Sequence, residues 1–191
     1  MGAGGQSGKW INGVTFYWLL FPRPLLLSTH HGGKKMTSPI VTPEQHKALG
    51  INLFNSTWDL IEKPDRTPDD DAYMINMAHA SAYHWKQLGT PLNFARSEWQ
   101  ISHVYGILHR GEPAIYHAKR SLQYCVDNGF GDFDLAYAYE AMARAHNVLG
   151  SAEEAQRYLK LAEEAGQAIA KAGDMKQFIS DLAGLQKMIK G

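Results

Sequence analysis

Cysteine is nearly absent from this sequence: Cys125 stands alone among 191 residues, so no internal disulfide can form. Its helical setting between Leu122 and Val126 reads as a small buried side chain in a reducing, cytoplasmic compartment. Neither charge is in excess, because Lys plus Arg and Asp plus Glu both number 19. With no basic surplus to neutralise phosphates, nucleic acid is excluded as the main partner. No stretch alternates apolar and polar residues over a strand's length, which points away from sheet. A long unbroken apolar run is missing too: residues 10–27 come nearest, but Gly13, Pro22 and Pro24 interrupt them, so no stable membrane span is expected.

What is present suits one globular unit, with 45% apolar and 20% charged residues. The first 36 residues differ from the rest. They are glycine-rich, then apolar in a weakly signal-like way, then proline-rich and basic, without a small-x-small cleavage site. Residues 1–36 therefore read as an extension outside the fold, either a disordered tail or an upstream start with Met36 as the working one. Two near-motifs there fail on chemistry. Trp10 stands where a phosphate loop needs Ser or Thr to hold magnesium, and Gln6 where a myristoylation signal needs Ser or Thr.

Residues 42–190 carry repeated helix signals. Thr42-Pro43-Glu44-Gln45 opens a helix through Leu49, Leu53, Trp58 and Ile61, and Thr67-Pro68 followed by three aspartates opens a second through Met74, Ala78, Ser81, Trp85 and Leu88. Gly89-Thr90-Pro91 leads by a very short link into a third, with Phe94, Ile101, Val104, Tyr105 and Leu108 as its stripe. Gly111-Glu112-Pro113 turns into a fourth with Ile115, Ala118, Leu122 and Val126, which Asn128-Gly129 stops. In the next hairpin, Leu135, Tyr139, Met142, His146 and Leu149 share one face, while Tyr137, Glu140, Arg144 and Asn147 share another. Gly150 suits the left-handed position after that helix. Ser151 and Glu154 have the spacing of a capping box for the next. Gly173-Asp174 starts a seventh helix with Phe178, Leu182, Leu185 and Met188 on one side. An all-α fold follows. Placing Gly111 and Gly150 in equivalent turns gives an internal repeat 39 residues long, a solenoid spacing.

With those residues in place, the chain resembles the tetratricopeptide-repeat (TPR)-like superfamily. Tyr139, Met142, Ala143 and His146 stand at the family's packing positions on the first helix of a repeat, Gly150 at its turn, and Ala155, Leu159 and Ala162 on the second helix. Residues 97–122 match less closely, with a turn about two residues shorter and Ile107 in an aromatic position. The resemblance implies a right-handed solenoid of three antiparallel helical hairpins plus a C-terminal capping helix. It further implies a concave surface formed by Tyr137, Glu140, Arg144 and Asn147 in one repeat and Glu98, Tyr105 and His109 in the one before. The family's carboxylate-clamp pattern of Lys and Asn is not matched. The expectation is a non-enzymatic adaptor that binds a peptide or protein segment in a groove, without cofactor.

The main alternative is a small-molecule sensor or enzyme using the cluster His79, Tyr83, His84, Arg96, Glu98 and His103. Metal is not expected there: His79 and His84 differ by five, as do Glu98 and His103, and helical ligands on one face need spacings of three or four. Packing of these histidines between the second and third helices, with His79 or His103 bonded to Glu98, is the plainer reading. No nucleophile, base and orienting acid assemble by motif, so no catalytic residue is assigned. Self-association through an exposed apolar edge is the third reading left open.

Overall fold

Three consecutive helices begin alike, with threonine, proline, a spacer and a side chain that can accept a hydrogen bond. In the computed structural model, which describes residues 40–190, these are α1 (Pro43–Ile61), α2 (Pro68–Leu88) and α3 (Pro91–Ile107). The extension at residues 1–36, with its signal-like run, lies outside the described residues. At each start the proline supplies a preset φ where no N–H partner is needed. The threonine N–H is received by the side chain three residues on: Thr42 by Gln45 Oε1 at 2.8 Å, Thr67 by Asp70 Oδ2 at 2.8 Å and Thr90 by Asn93 Oδ1 at 3.0 Å.

The remaining helices are α4 (Gly111–Asn128), α5 (Asp132–Val148), α6 (Ala152–Gly166) and α7 (Ala172–Lys190). All regular structure among the described residues is helical, as the sequence predicts, and no helix among them is long and apolar enough to cross a membrane. The helices pair in chain order, α1 with α2, α3 with α4 and α5 with α6. In addition α3 lies against α1, α2 and α5, and α5 meets α4 and α7.

The turns that close α3, α4 and α5 share one hydrogen-bond pattern. A residue with positive φ follows each helix: His109 at 54°, Gly129 at 65° and Gly150 at 73°. The next N–H reaches back to a carbonyl five residues earlier, Arg110 to Tyr105, Phe130 to Cys125 and Ser151 to His146, each at 2.9 Å. These bonds correct the repeat register. Gly150 corresponds to His109, not to Gly111, and from 109 to 150, 110 to 151 and 105 to 146 the step is 41 residues rather than 39. The α3 and α5 boundaries, Pro91–Ile107 and Asp132–Val148, obey the same step. Gly111 misled because glycine marks left-handed turns in sequence, whereas here a histidine occupies the strained position and Gly111 is the first helical residue.

The capping box at Ser151 and Glu154 does not form. Its two halves are already engaged. The Ser151 N–H that Glu154 would receive goes to His146 O, and Glu154 Oε2 accepts from Arg157 at 2.9 Å.

Alanine governs the packing of α5. Ala136, Ala138, Ala141, Ala143 and Ala145 are each at most 1% exposed, so neighbouring helices approach closely on several sides. The face expected to be polar and open is therefore largely covered: Tyr137 is 6% and Glu140 1% exposed. One core joins α5, α6 and α7 through Leu159, Ala162, Phe178, Leu182 and Leu185. Gly166 is required there, since a Cβ would overlap the Phe178 ring. Burying Phe178 and Leu185 stabilises the docking of α7 by about 2 kcal/mol each. Buried hydroxyls tie adjacent helices: Ser81 donates to Gly50 O at 2.8 Å, Ser102 to Ala114 O at 2.9 Å and Ser121 to Ala95 O at 2.9 Å.

Candidate functional site

A cavity of about 810 Å³ opens between α1, α3, α5 and α7, and no residue of α2, α4 or α6 lines it. Each wall follows from helical spacing. Phe54 and Trp58 on α1 and Glu62 at its C-terminal cap follow at intervals of four, as do Trp99 and His103 on α3. Phe133, Tyr137, Glu140 and Arg144 succeed one another on α5, and Asp174, Gln177, Asp181, Leu185 and Met188 on α7. Trp99 and His103 on α3 hold the places that Glu140 and Arg144 hold on α5, one 41-residue step apart. The repeat thus sets an aromatic pair beside an ionic pair.

The aromatic side is a contiguous stack. The Trp58 and Trp99 ring centroids lie 5.8 Å apart, Trp99 stacks on His103 at 5.2 Å, and Trp99 meets Tyr137 edge-on at 5.4 Å. Tyr137 also contacts Phe133 and Phe178, and its hydroxyl donates to Asp181 Oδ2 at 2.7 Å, joining α5 to α7. Burial, then the bond to Asp181, push its phenol far above the ordinary value, so it stays a donor.

The ionic side is lopsided. Arg144 donates from Nε to Glu140 Oε1 at 2.9 Å and from a terminal nitrogen to the same oxygen. Glu140 Oε2 is buried and has no partner. Trp99 Nε1 and His103 Nδ1 are buried without partners as well. Burial, reinforced by the Arg144 cation, brings the His103 imidazole down to about 3, so the ring is neutral near pH 7. At the cavity's end Arg96 grips Asp134 with two bonds, 2.6 and 2.9 Å long.

Of the residues expected on a concave surface, Tyr137, Glu140 and Arg144 line this cavity. Asn147 is half-buried further along α5. Glu98 and Tyr105 belong to a separate network toward α2 and α4. Glu98 accepts from His117 Nδ1 at 2.7 Å and from Arg120 Nε at 2.8 Å, while Tyr105 bonds His79 at 3.0 Å and stacks on His117. Burial alone would raise the Glu98 carboxyl, but the bonds from His117 and Arg120 outweigh it and hold the group below its usual range. His109 forms the strained turn.

The alternative cluster divides among three places. Arg96 and His103 join the cavity, and His79 and Glu98 share the network with Tyr105. His84 lies 2.8 Å from His46 near the exposed Tyr83. The bond expected between Glu98 and His79 or His103 is replaced by those from His117 and Arg120, because α4 brings both donors to the carboxylate. Trp58, Phe133 and Asp181 were not marked by sequence as site residues. Trp58 and Asp181 come from helices whose partners the motif does not specify.

No protein-family model, curated protein or solved structure matches this chain significantly.

Proposed function

We propose that this chain is a non-catalytic, TPR-like binding module whose three hairpins and terminal helix form a right-handed solenoid, with a peptide or protein segment received in the cavity between α1, α3, α5 and α7. The observation that carries the reading is that three residues lining that one cavity each hold a buried polar atom without a partner: Trp99 Nε1, His103 Nδ1 and Glu140 Oε2. Buried polar atoms are ordinarily satisfied, and a set left open around a large cavity suits an occupant that satisfies them. Its walls come from the first helix of each pair and from α7, the surface on which the family resemblance puts ligands. A binding role suits the site better than proton transfer, because His103 is neutral and the buried Glu140 is tied to Arg144.

A second reading, a compact organic ligand, is favoured by the volume, which falls within the range of small-molecule pockets. Photocrosslinking on the full chain distinguishes the two. A photoreactive residue replaces exposed Met188 at the cavity or, as control, exposed Tyr73 elsewhere. In lysate of the source cell, peptide adducts specific to position 188 support the segment reading. Adducts below about 1 kDa at that position support the compact ligand, and equal labelling at 188 and 73 removes the cavity from consideration.

A further inference from the structure

The cavity proposed above as a binding site also has a sign. Its three basic side chains already lie against acids: Arg96 on Asp134, Arg144 on Glu140 and, at 3.8 Å, Lys171 on Asp174. Glu62, Asp132 and Asp181 line it without a basic partner among the described residues. Beside this acidic surplus stands the indole wall of Trp58 and Trp99. Acid plus aromatic face is the chemistry that holds a cation on an apolar stem.

The free oxygen of Glu140 makes the surplus specific. Arg144 cannot reach around to it, because its two bonds go to Oε1 and its stem lies in the space left by Gly106, where a Cβ would stand 2.9 Å from Arg144 Cδ. The carboxylate thus has one oxygen bound to Arg144 and one buried oxygen without a partner, on a residue that lines the cavity. We infer that the occupant is an organic cation, an ammonium or guanidinium-type group on an apolar body, donating to Glu140 Oε2 with its face or stem against Trp58 and Trp99. A free amine or amidine and a Lys or Arg side chain of a peptide share this chemistry.

This inference rests on the cavity being a binding site, and its test separates the two claims. Three probes of equal shape, benzamidine, benzamide and benzoate, are titrated into the full chain and followed by NMR of the tryptophan indole N–H signals. The capped dipeptides acetyl-Phe-Arg-amide and acetyl-Phe-citrulline-amide are titrated in parallel. Benzamidinium is expected to bind at least tenfold more tightly than benzamide, with no response to benzoate, and the arginine peptide at least tenfold more tightly than its citrulline counterpart. The preference should fall to less than threefold in Glu140→Gln. Because that change could loosen Arg144, Glu62→Gln at the exposed rim serves as a second variant, expected to weaken benzamidinium about twofold without altering the unfolding midpoint. Tighter binding of the arginine peptide than of benzamidine assigns the cation to a peptide side chain, and the reverse order assigns it to a free small molecule. Equal or stronger binding of benzamide or benzoate overturns the cation assignment while leaving the cavity as a site. Silence from all five probes also overturns it, and the crosslinking at position 188 then decides the cavity alone.

Discussion

Gly106 on α3 is the floor on which the Arg144 side chain lies: a methyl group at position 106 would stand 2.9 Å from Arg144 Cδ and 3.2 Å from Cγ. Glycine within a helix costs about 1 kcal/mol relative to alanine, so Gly106→Ala alone would be expected to stabilise. Here it must displace the arginine from a carboxylate that is 1% exposed. The expected result is destabilisation by about 1 kcal/mol or more. In a background where both charges are removed, Glu140→Leu with Arg144→Ala, the same substitution should stabilise by up to about 1 kcal/mol. Urea unfolding of the four proteins measures this change of sign, and an unchanged sign would break the link between Gly106 and the ion pair.

His103 predicts a pH dependence. Its folded-state value is about 3 and its ordinary value 6.5. Between them the unfolded chain binds a proton that the folded chain does not, so stability is full above 6.5 and falls as pH drops toward 3, by up to about 1.4 kcal/mol per pH unit. The lowered values of His79, His84 and His146 add to the same slope. His103→Phe, which keeps a ring against Trp99, should reduce the loss of urea midpoint between pH 7 and pH 5. An identical slope in the variant would show that the imidazole titrates freely.

Tyr137 separates a hydrogen bond from a volume. Tyr137→Phe removes the donor to Asp181 and should cost about 1–2 kcal/mol, with α7 still docked. Tyr137→Ala also empties the space between Trp99, Phe133 and Phe178 and should cost about 3–5 kcal/mol. Hydrogen exchange along α7 is the readout. Release of α7 by the phenylalanine variant would mean that the hydroxyl, not the ring, holds the helix.

The turns at 109 and 150 should respond in opposite directions. His109→Gly relieves a non-glycine residue at φ 54° and is expected to raise stability by about 0.5–1 kcal/mol, while Gly150→Ala, at φ 73°, should lower it by about 1 kcal/mol. Thermal unfolding of both variants checks the pairing of these positions. Like signs would contradict it.

Local signals were the legible part of this chain. Thr42 and Thr67 with their prolines, and Gly150 after α5, announce starts and stops because they act on backbone groups within a few residues. The repeat length is not legible because a chemically unexpected residue, His109, takes a glycine's place, and the two-residue offset between 39 and 41 conceals the correspondence of Trp99 and His103 with Glu140 and Arg144. Tyr137, Glu140 and Arg144 could be grouped from one helix face, but their burial could not, since it depends on α3 and α7 arriving from distant parts of the chain. For the same reason Glu98 found His117 and Arg120 rather than the histidines nearer to it in sequence.

One wall of the cavity belongs to the last helix, and α7 packs on α5 and α6 alone, outside the three hairpins. Any molecule that touches α7 together with α1 or α3 would therefore bridge parts of the protein that otherwise meet only through α5. Thermodynamic reciprocity then fixes a relation: the free energy by which such a molecule tightens α7 against the body equals that by which a docked α7 tightens the molecule. Affinity and the fraying of the C-terminal end become one quantity measured from two sides.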